Sequence, residues 1–202
     1  MSNENDIASV PVTQEEMMKR VVRFKDMPPR PKPGAGTLPD DVVEFMTADA
    51  NYSYLAPKME GQSVIQRFAA LSGGDAGDTI SVSMAVCSPG RGPTLHAHMN
   101  TVEAFFCLSS RFSITWGDKG ENEIILEPWD FIHVPKGVVR TFSNVGDEEG
   151  ALFVIIQGNR NEFDDVVTAP YVIEQVSERF GPDAVAGLES TGRKYFSGTP
   201  AS

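Results

Sequence analysis

Between residues 42 and 157 the sequence breaks into short apolar runs: "VVEFM", "SVIQRFAAL", "TISVSMAVC", "VEAFFCL", "RFSITWG", "NEIILE", "DFIHVP" and "ALFVIIQG". Between them stand "SGGDAGD", "SPGRGP", "GDKGEN" and "NVGDEEG", rich in residues that make turns. Many short strands divided this regularly restrict the region to an antiparallel barrel or sandwich, an all-β fold.

The flanks read differently. Thr13 and Glu16 have capping-box spacing ahead of "MMKRVVRF", where Met17, Met18, Val21 and Val22 recur at helical intervals, so a short N-terminal helix is expected. Pro28, Pro29, Pro31 and Pro33 then deny the backbone donors that a helix or central strand needs, leaving an extended arm draped on the domain or on a partner subunit. Past residue 160, Pro170 precedes "YVIEQVSERFGP", in which Val172, Ile173, Val176 and Phe180 repeat at helical spacing. One C-terminal helix and a tail, "STGRKYFSGTPAS", are expected. The resulting division is helix and proline-rich arm over 1–41, barrel over 42–160, and helix and tail over 161–202.

A chain of 202 residues carries one main core. Its formal net charge of -11, with no concentration of basic residues, argues against nucleic acid as a partner. The opening "MSNENDIASV" has no signal-peptide pattern and no apolar run reaches membrane-spanning length, so a cytoplasmic protein without a membrane partner is expected. Cys87 and Cys107 form no CxxC pair and read as buried free thiols.

Of three histidines, two fall together in "GRGPTLHAHMNTVEAFF". Residues two apart on a strand face the same way, so His96 and His98 can offer two imidazoles to one ion. Glu103, at the start of the next run, can bring a carboxylate back beside them. Two imidazoles and one carboxylate suit non-haem Fe(II) and leave positions open, and Mn, Ni or Zn accept similar donors. Taken alone, the pair is equally a pair of hydrogen-bonded polar residues.

The wider context resembles the cupin superfamily. Gly90, five residues, His96-x-His98, four residues and Glu103 match the first cupin motif, with Ser110 where a glycine usually follows. "WDFIHVPKGVVRTFSN" is similar to the second: Pro135-x-Gly137, two residues, position 140, then three residues to Asn144. The resemblance covers residues 75 to 157 and implies a single antiparallel β-barrel of the jelly-roll kind with the ligand pocket inside. Two departures stand out. Trp129 replaces a glycine, and Arg140 stands where the family pattern places the last histidine ligand.

Arginine stays protonated and offers only donors, so Arg140 cannot coordinate a cation. Three arrangements remain open. His96, His98 and Glu103 hold the ion alone while Arg140 grips an anionic substrate; or Arg140 pairs with Glu103 and the site is metal-free; or His133, two residues before Pro135, replaces the missing ligand. The last depends on whether Phe131 and His133, or Ile132 and Val134, face the pocket. If Glu103 points inward, Phe105 and Cys107 share its side; Trp116, Trp129 and Gln157 are weaker pocket candidates.

The expected function is a mononuclear metal-dependent enzyme, Fe(II) favoured, a dioxygenase or related oxidoreductase on a small anionic organic substrate. Arg140 and His133 would be its catalytic candidates. The alternatives are a metal-free cupin isomerase, dehydratase or lyase working by acid–base chemistry, or a noncatalytic barrel that binds a small ligand. The arm, and the habit of many cupins to associate, imply a homodimer.

Overall fold

The computed structural model describes residues 9–57, 68–72, 79–158 and 165–196. Two six-stranded sheets face each other. The first is built from β1 (Ala50–Ala56), β2 (Leu71–Ser72), β3 (Ile80–Cys87), β5 (Val102–Ser109), β8 (Phe131–Val134) and β10 (Gly150–Gln157), in the order β2-β1-β3-β10-β5-β8. The second contains β4 (His96–His98), β6 (Phe112–Trp116), β7 (Asn122–Leu126), β9 (Arg140–Asn144), β11 (Val166–Thr168) and β12 (Lys194–Tyr195), in the order β12-β11-β4-β9-β6-β7. This is the expected all-β jelly-roll barrel.

Period-two burial explains how the strands close on a core. In β10, Leu152, Val154 and Ile156 are buried and the residues between them are half-buried. One half of the barrel is filled: Phe105, Phe112 and Phe142 meet edge to face, with ring centroids 5.3 and 6.2 Å apart, among Cys107, Ile114 and Leu152. Side chains of this bulk leave no room there for a ligand, so any pocket lies at the other end.

A second apolar cluster sits outside the barrel. Helix α2 (Asp40–Met46) contributes Val42, Val43 and Met46, and helices α3 (Pro170–Phe180) and α4 (Pro182–Ser190) contribute Val172, Val176, Ala184 and Leu188. They pack on Leu95, Ala97 and Val139. The alternation in β4 therefore points Ala97 to the helices while its two neighbours face the barrel interior.

Several expectations are corrected. "VVEFM" is a helix rather than a strand: Pro39 occupies its N-cap, Asp40 and Asp41 its first turn, and the buried face is made by Val42, Val43 and Met46. The C-terminal segment holds two helices, because Gly181 at φ 83° and Pro182 break the run that was expected as one. The tail is partly structured, with Lys194–Tyr195 pairing in parallel with β11. Helix α1 (Gln14–Met18) has both capping-box hydrogen bonds between Thr13 and Glu16 but stops short of Val21 and Val22. The first residues of "SVIQRFAAL" lie outside the described residues. Among the described residues no helix is long and apolar enough to cross a membrane.

The glycine departures in the motifs have a backbone signature. Ser110 and Trp129 are the two non-glycine residues at positive φ among the described residues, 63° and 80°. Both keep the left-handed geometry that a glycine would adopt without strain.

Candidate metal centre

Cavity and ligands come from both sheets. A cavity of about 240 Å³ opens between them, lined by His96 and His98 from β4, Glu103 from β5, Phe142 from β9, and Val154 and Ile156 from β10. One donor atom each of His96, His98 and Glu103 lies within 4.8 Å of the other two. His98 Nε2 is 3.8 Å from Glu103 Oε1.

Each imidazole is oriented from behind. His96 Nδ1 is 2.7 Å from the Thr94 carbonyl oxygen, and His98 Nδ1 is 2.8 Å from Asp165 Oδ1. A carbonyl or carboxylate oxygen requires an N–H opposite it, so both rings carry a proton on Nδ1, which leaves Nε2 as the atom that ligates from a neutral ring. This is the outer hydrogen bonding that metal-binding histidines use to fix ring and tautomer. Burial, reinforced by Arg140 and His98, lowers the His96 pKa to about 3, so the ring stays neutral and able to ligate.

Asp165 precedes β11, whose register sets Val166 opposite His98 and Thr168 opposite His96. Its second oxygen accepts from the backbone N–H groups of Asn100 and Thr101 at 2.8 and 2.6 Å and from Thr101 Oγ1 at 3.0 Å. Burial works against the carboxylate charge, but the His98 hydrogen bond and these donors prevail and hold the pKa at about 2. The same carboxylate thus fixes the His98 ring and the turn that leads into Glu103.

Arg140 lies opposite His96 in the β4–β9 pair and is 1% exposed. Its Nε and Nη2 both donate to Glu103 Oε2, the former at 3.1 Å, and its Nη1 donates to the His96 carbonyl oxygen at 3.1 Å. Burial opposes ionisation of Glu103, yet Arg140, then His98 and His96, bring its pKa below the ordinary carboxylate value. The guanidinium spans the barrel from one sheet to the other and engages one carboxylate oxygen, which leaves Oε1 toward His98.

That geometry pairs Arg140 with Glu103, as in the second arrangement. Arg140 is absent from the cavity wall, so the expected grip on a substrate anion is corrected: its donors are used on Glu103 and a backbone carbonyl. His133 is on the outer face of β8 and exposed, opposite Ala104, because Ile132 and Val134 take the inward side. It is therefore not a replacement ligand. Trp129 is 73% exposed and Gln157 is also at the surface, whereas Phe105 and Cys107 do share the buried side of Glu103.

The trio fits a divalent ion. Nitrogen and oxygen ligands sit about 2.0–2.2 Å from such an ion, so any two are at most about 4.4 Å apart, and closing the site takes shifts of only a few tenths of an ångström. Glu103 stands between the Arg140 guanidinium and the position the two Nε2 atoms face, which shields an ion from the like charge.

The family comparison agrees with this architecture. Residues 83–156 match the family described as "Cupin domain". They form a cupin domain. No curated protein matches the chain. Among solved structures similar to it are TT1209 from Thermus thermophilus (18% identity, TM-score 0.37, 40% of this chain and 74% of that one) and the Cnp3 cupin domain of Schizosaccharomyces pombe (13%, 0.38, 44% and 61%). Another is a sugar phosphate isomerase of the cupin superfamily from Silicibacter pomeroyi (20%, 0.37, 41% and 52%).

Sequence reasoning missed several residues of the site. Asp165 and Thr94 are connected to the histidines only through the fold. Arg30, in the proline arm, and Arg193, in the expected tail, also line the cavity. Their one sequence signal is a cation set in an otherwise structural segment.

Proposed function

We propose that this chain is a mononuclear metal-dependent cupin enzyme, with Fe(II) the favoured ion and oxidation of a small anionic organic substrate by dioxygen the favoured reaction. The observation that supports this most is the arrangement of His96 and His98: each has Nδ1 committed to an acceptor, and Glu103 Oε1 stands beside them. Mn, Ni and Zn suit the same donors. A divalent ion held there supplies a Lewis acid and, as Fe(II), a site for dioxygen.

The protein's own groups do the rest. Asp165 and Thr94 keep the imidazoles in their ligating tautomer, and Arg140 locks the Glu103 carboxylate in one orientation while drawing off part of its charge. The apolar wall of Phe142, Val154 and Ile156 keeps water away from the carbon part of a substrate.

Elemental analysis of protein purified without chelators tests this reading. About one equivalent of metal is expected in the wild type and almost none in His96→Ala; substoichiometric metal indifferent to that substitution would sink it. The Glu103–Arg140 pair favours a second reading, a metal-free cupin isomerase, dehydratase or lyase working by acid–base chemistry. Turnover that survives exhaustive chelation would select it. A cytoplasmic homodimer is part of the proposal: β8 is an edge strand and carries exposed Phe131 beside exposed Trp129. Light scattering that gives the monomer mass would remove the dimer.

A further inference from the structure

Among the described residues, three arginines near the barrel are matched by carboxylates or carbonyls, and two on the cavity wall are not. Arg91 pairs with Asp49 at 2.9 Å and donates to the Glu44 carbonyl, Arg111 pairs with Glu127 at 2.9 Å, and Arg140 is held by Glu103 and the His96 carbonyl. Arg30 and Arg193 have no carboxylate within ion-pair distance among the described residues, although both are partly withdrawn from water and line the cavity beside the histidines. Burial lowers the pKa of both, opposed only by the charge of Glu103 near Arg30 and by Tyr195 near Arg193. A guanidinium does not escape that cost by losing its proton, so it favours the arrival of an anion.

The charge balance of the wall points the same way. Glu103 is the acidic residue on the described lining, and Arg140 already neutralises it, which leaves the two guanidiniums as the cavity's uncompensated charge. Arg30 is well placed to hold a ligand. It sits between Pro29 and Pro31, and its backbone N–H donates to the Asn51 carbonyl oxygen at 2.6 Å, so the arm is pinned to β1 before any ligand arrives. Arg193 enters from the other end of the chain, immediately before β12.

We propose that Arg30 and Arg193 form an oxyanion receptor in the cavity, which seats the carboxylate or phosphate of a small organic ligand while its carbon skeleton lies against Phe142, Val154 and Ile156. Fork-shaped donors suit either oxyanion. A cavity of about 240 Å³ lies just below the range of about 300–1,000 Å³ that holds drug-sized ligands, which sets the ligand at metabolite size. The receptor names the substrate class of the metal-centre reading and rests on that reading for the ligand being a substrate, but its occupancy needs no metal.

The test therefore uses the full chain stripped of metal. Succinate, phthalate and glycerol 3-phosphate are titrated calorimetrically, so the arms separate aliphatic carboxylate, aromatic carboxylate and phosphate. At least one is expected to bind with Kd under about 1 mM, with at least tenfold weakening in Arg30→Gln and in Arg193→Gln and none in Arg111→Gln. If either variant folds poorly, phenylglyoxal labelling of the wild type with peptide mass mapping takes its place: saturating ligand should protect Arg30 and Arg193 but not Arg111. Failure of all three probes to bind, equal weakening in Arg111→Gln, or unprotected labelling at Arg30 and Arg193 overturns the receptor. Anion binding with these losses, by a wild type whose metal content after chelator-free purification is substoichiometric and indifferent to His96→Ala, leaves the receptor standing and overturns the metal reading alone.

Discussion

Replacing Arg140 by methionine separates the two jobs the guanidinium does. The substitution removes two hydrogen bonds to Glu103 and one to the His96 carbonyl, and leaves a carboxylate buried without its cation. Breaking one partner of a buried ion pair costs about 3–5 kcal/mol, so the metal-free protein should lose that much stability, less whatever Glu103 recovers by taking up a proton. Metal binding should move the opposite way. A doubly charged ion and a guanidinium one carboxylate apart, about 6 Å, repel by about 5 kcal/mol at an effective dielectric near 20, and even half of that is nearly a hundredfold in affinity.

Metal-free Arg140→Met should thus unfold at lower urea, bind Fe(II), Mn or Zn roughly a hundredfold more tightly than wild type in a chelator competition, and regain its lost stability when loaded. With Arg140 gone, the Glu103 pKa rises, so the gain in affinity should shrink as pH falls through that raised value. The reasoning is refuted if the variant holds metal no better than wild type, because Glu103 would then not be shared between the guanidinium and an ion. Arg140→His should show the same gain together with an added nitrogen ligand.

Asp165→Asn should lower metal affinity about 10–100-fold, since an amide has one acceptor oxygen where the carboxylate uses two, so its NH2 must face either His98 Nδ1–H or the Asn100 and Thr101 donors; competition with a chromogenic chelator reads this. Because the Asp165 carboxyl is held at about 2, below its unfolded value, the stability it contributes is present in full above about pH 4 and fades as pH falls toward 2, so wild type and variant should converge there in denaturation curves. His133→Ala, at an exposed position, should leave metal content unchanged and stability within about 0.5 kcal/mol; a loss of metal would return His133 to the ligand set. Burial pushes the Cys87 thiol up to about 12, so its thiolate is about one part in ten thousand at pH 8, and a thiol reagent should reach it only on unfolding.

The ligand trio was legible because strand parity acts within a few residues: the spacing of His96 and His98 alone puts both rings on one face. The companion of Glu103 was left open, since the same Arg140 could turn to a substrate or to the carboxylate, and only the facing of the two sheets resolves it. Parity on β8 was ambiguous for another reason. Phe131 with His133 is as plausible an inward pair as Ile132 with Val134 until the partner strand β5 fixes the sides. "VVEFM" misled because its β-branched residues suit a strand, while its helix depends on Pro39 and two aspartates outside the run and on a docking surface supplied by α3 and α4. Asp165 carried no local signal at all; its role exists only after β11 pairs with β4.

The strand that carries the histidines is three residues long and leans on what lies behind it: Ala97 against the outer helices, Asp165 beneath the His98 ring. Neither those helices nor Asp165 belongs to residues 83–156, the part of the chain that the family description covers. A fragment cut at those limits would keep His96, His98, Glu103 and Arg140 in order and still lack the backing that aims them. In this chain the boundary of the family and the boundary of the working site are different lines, and the second is the wider.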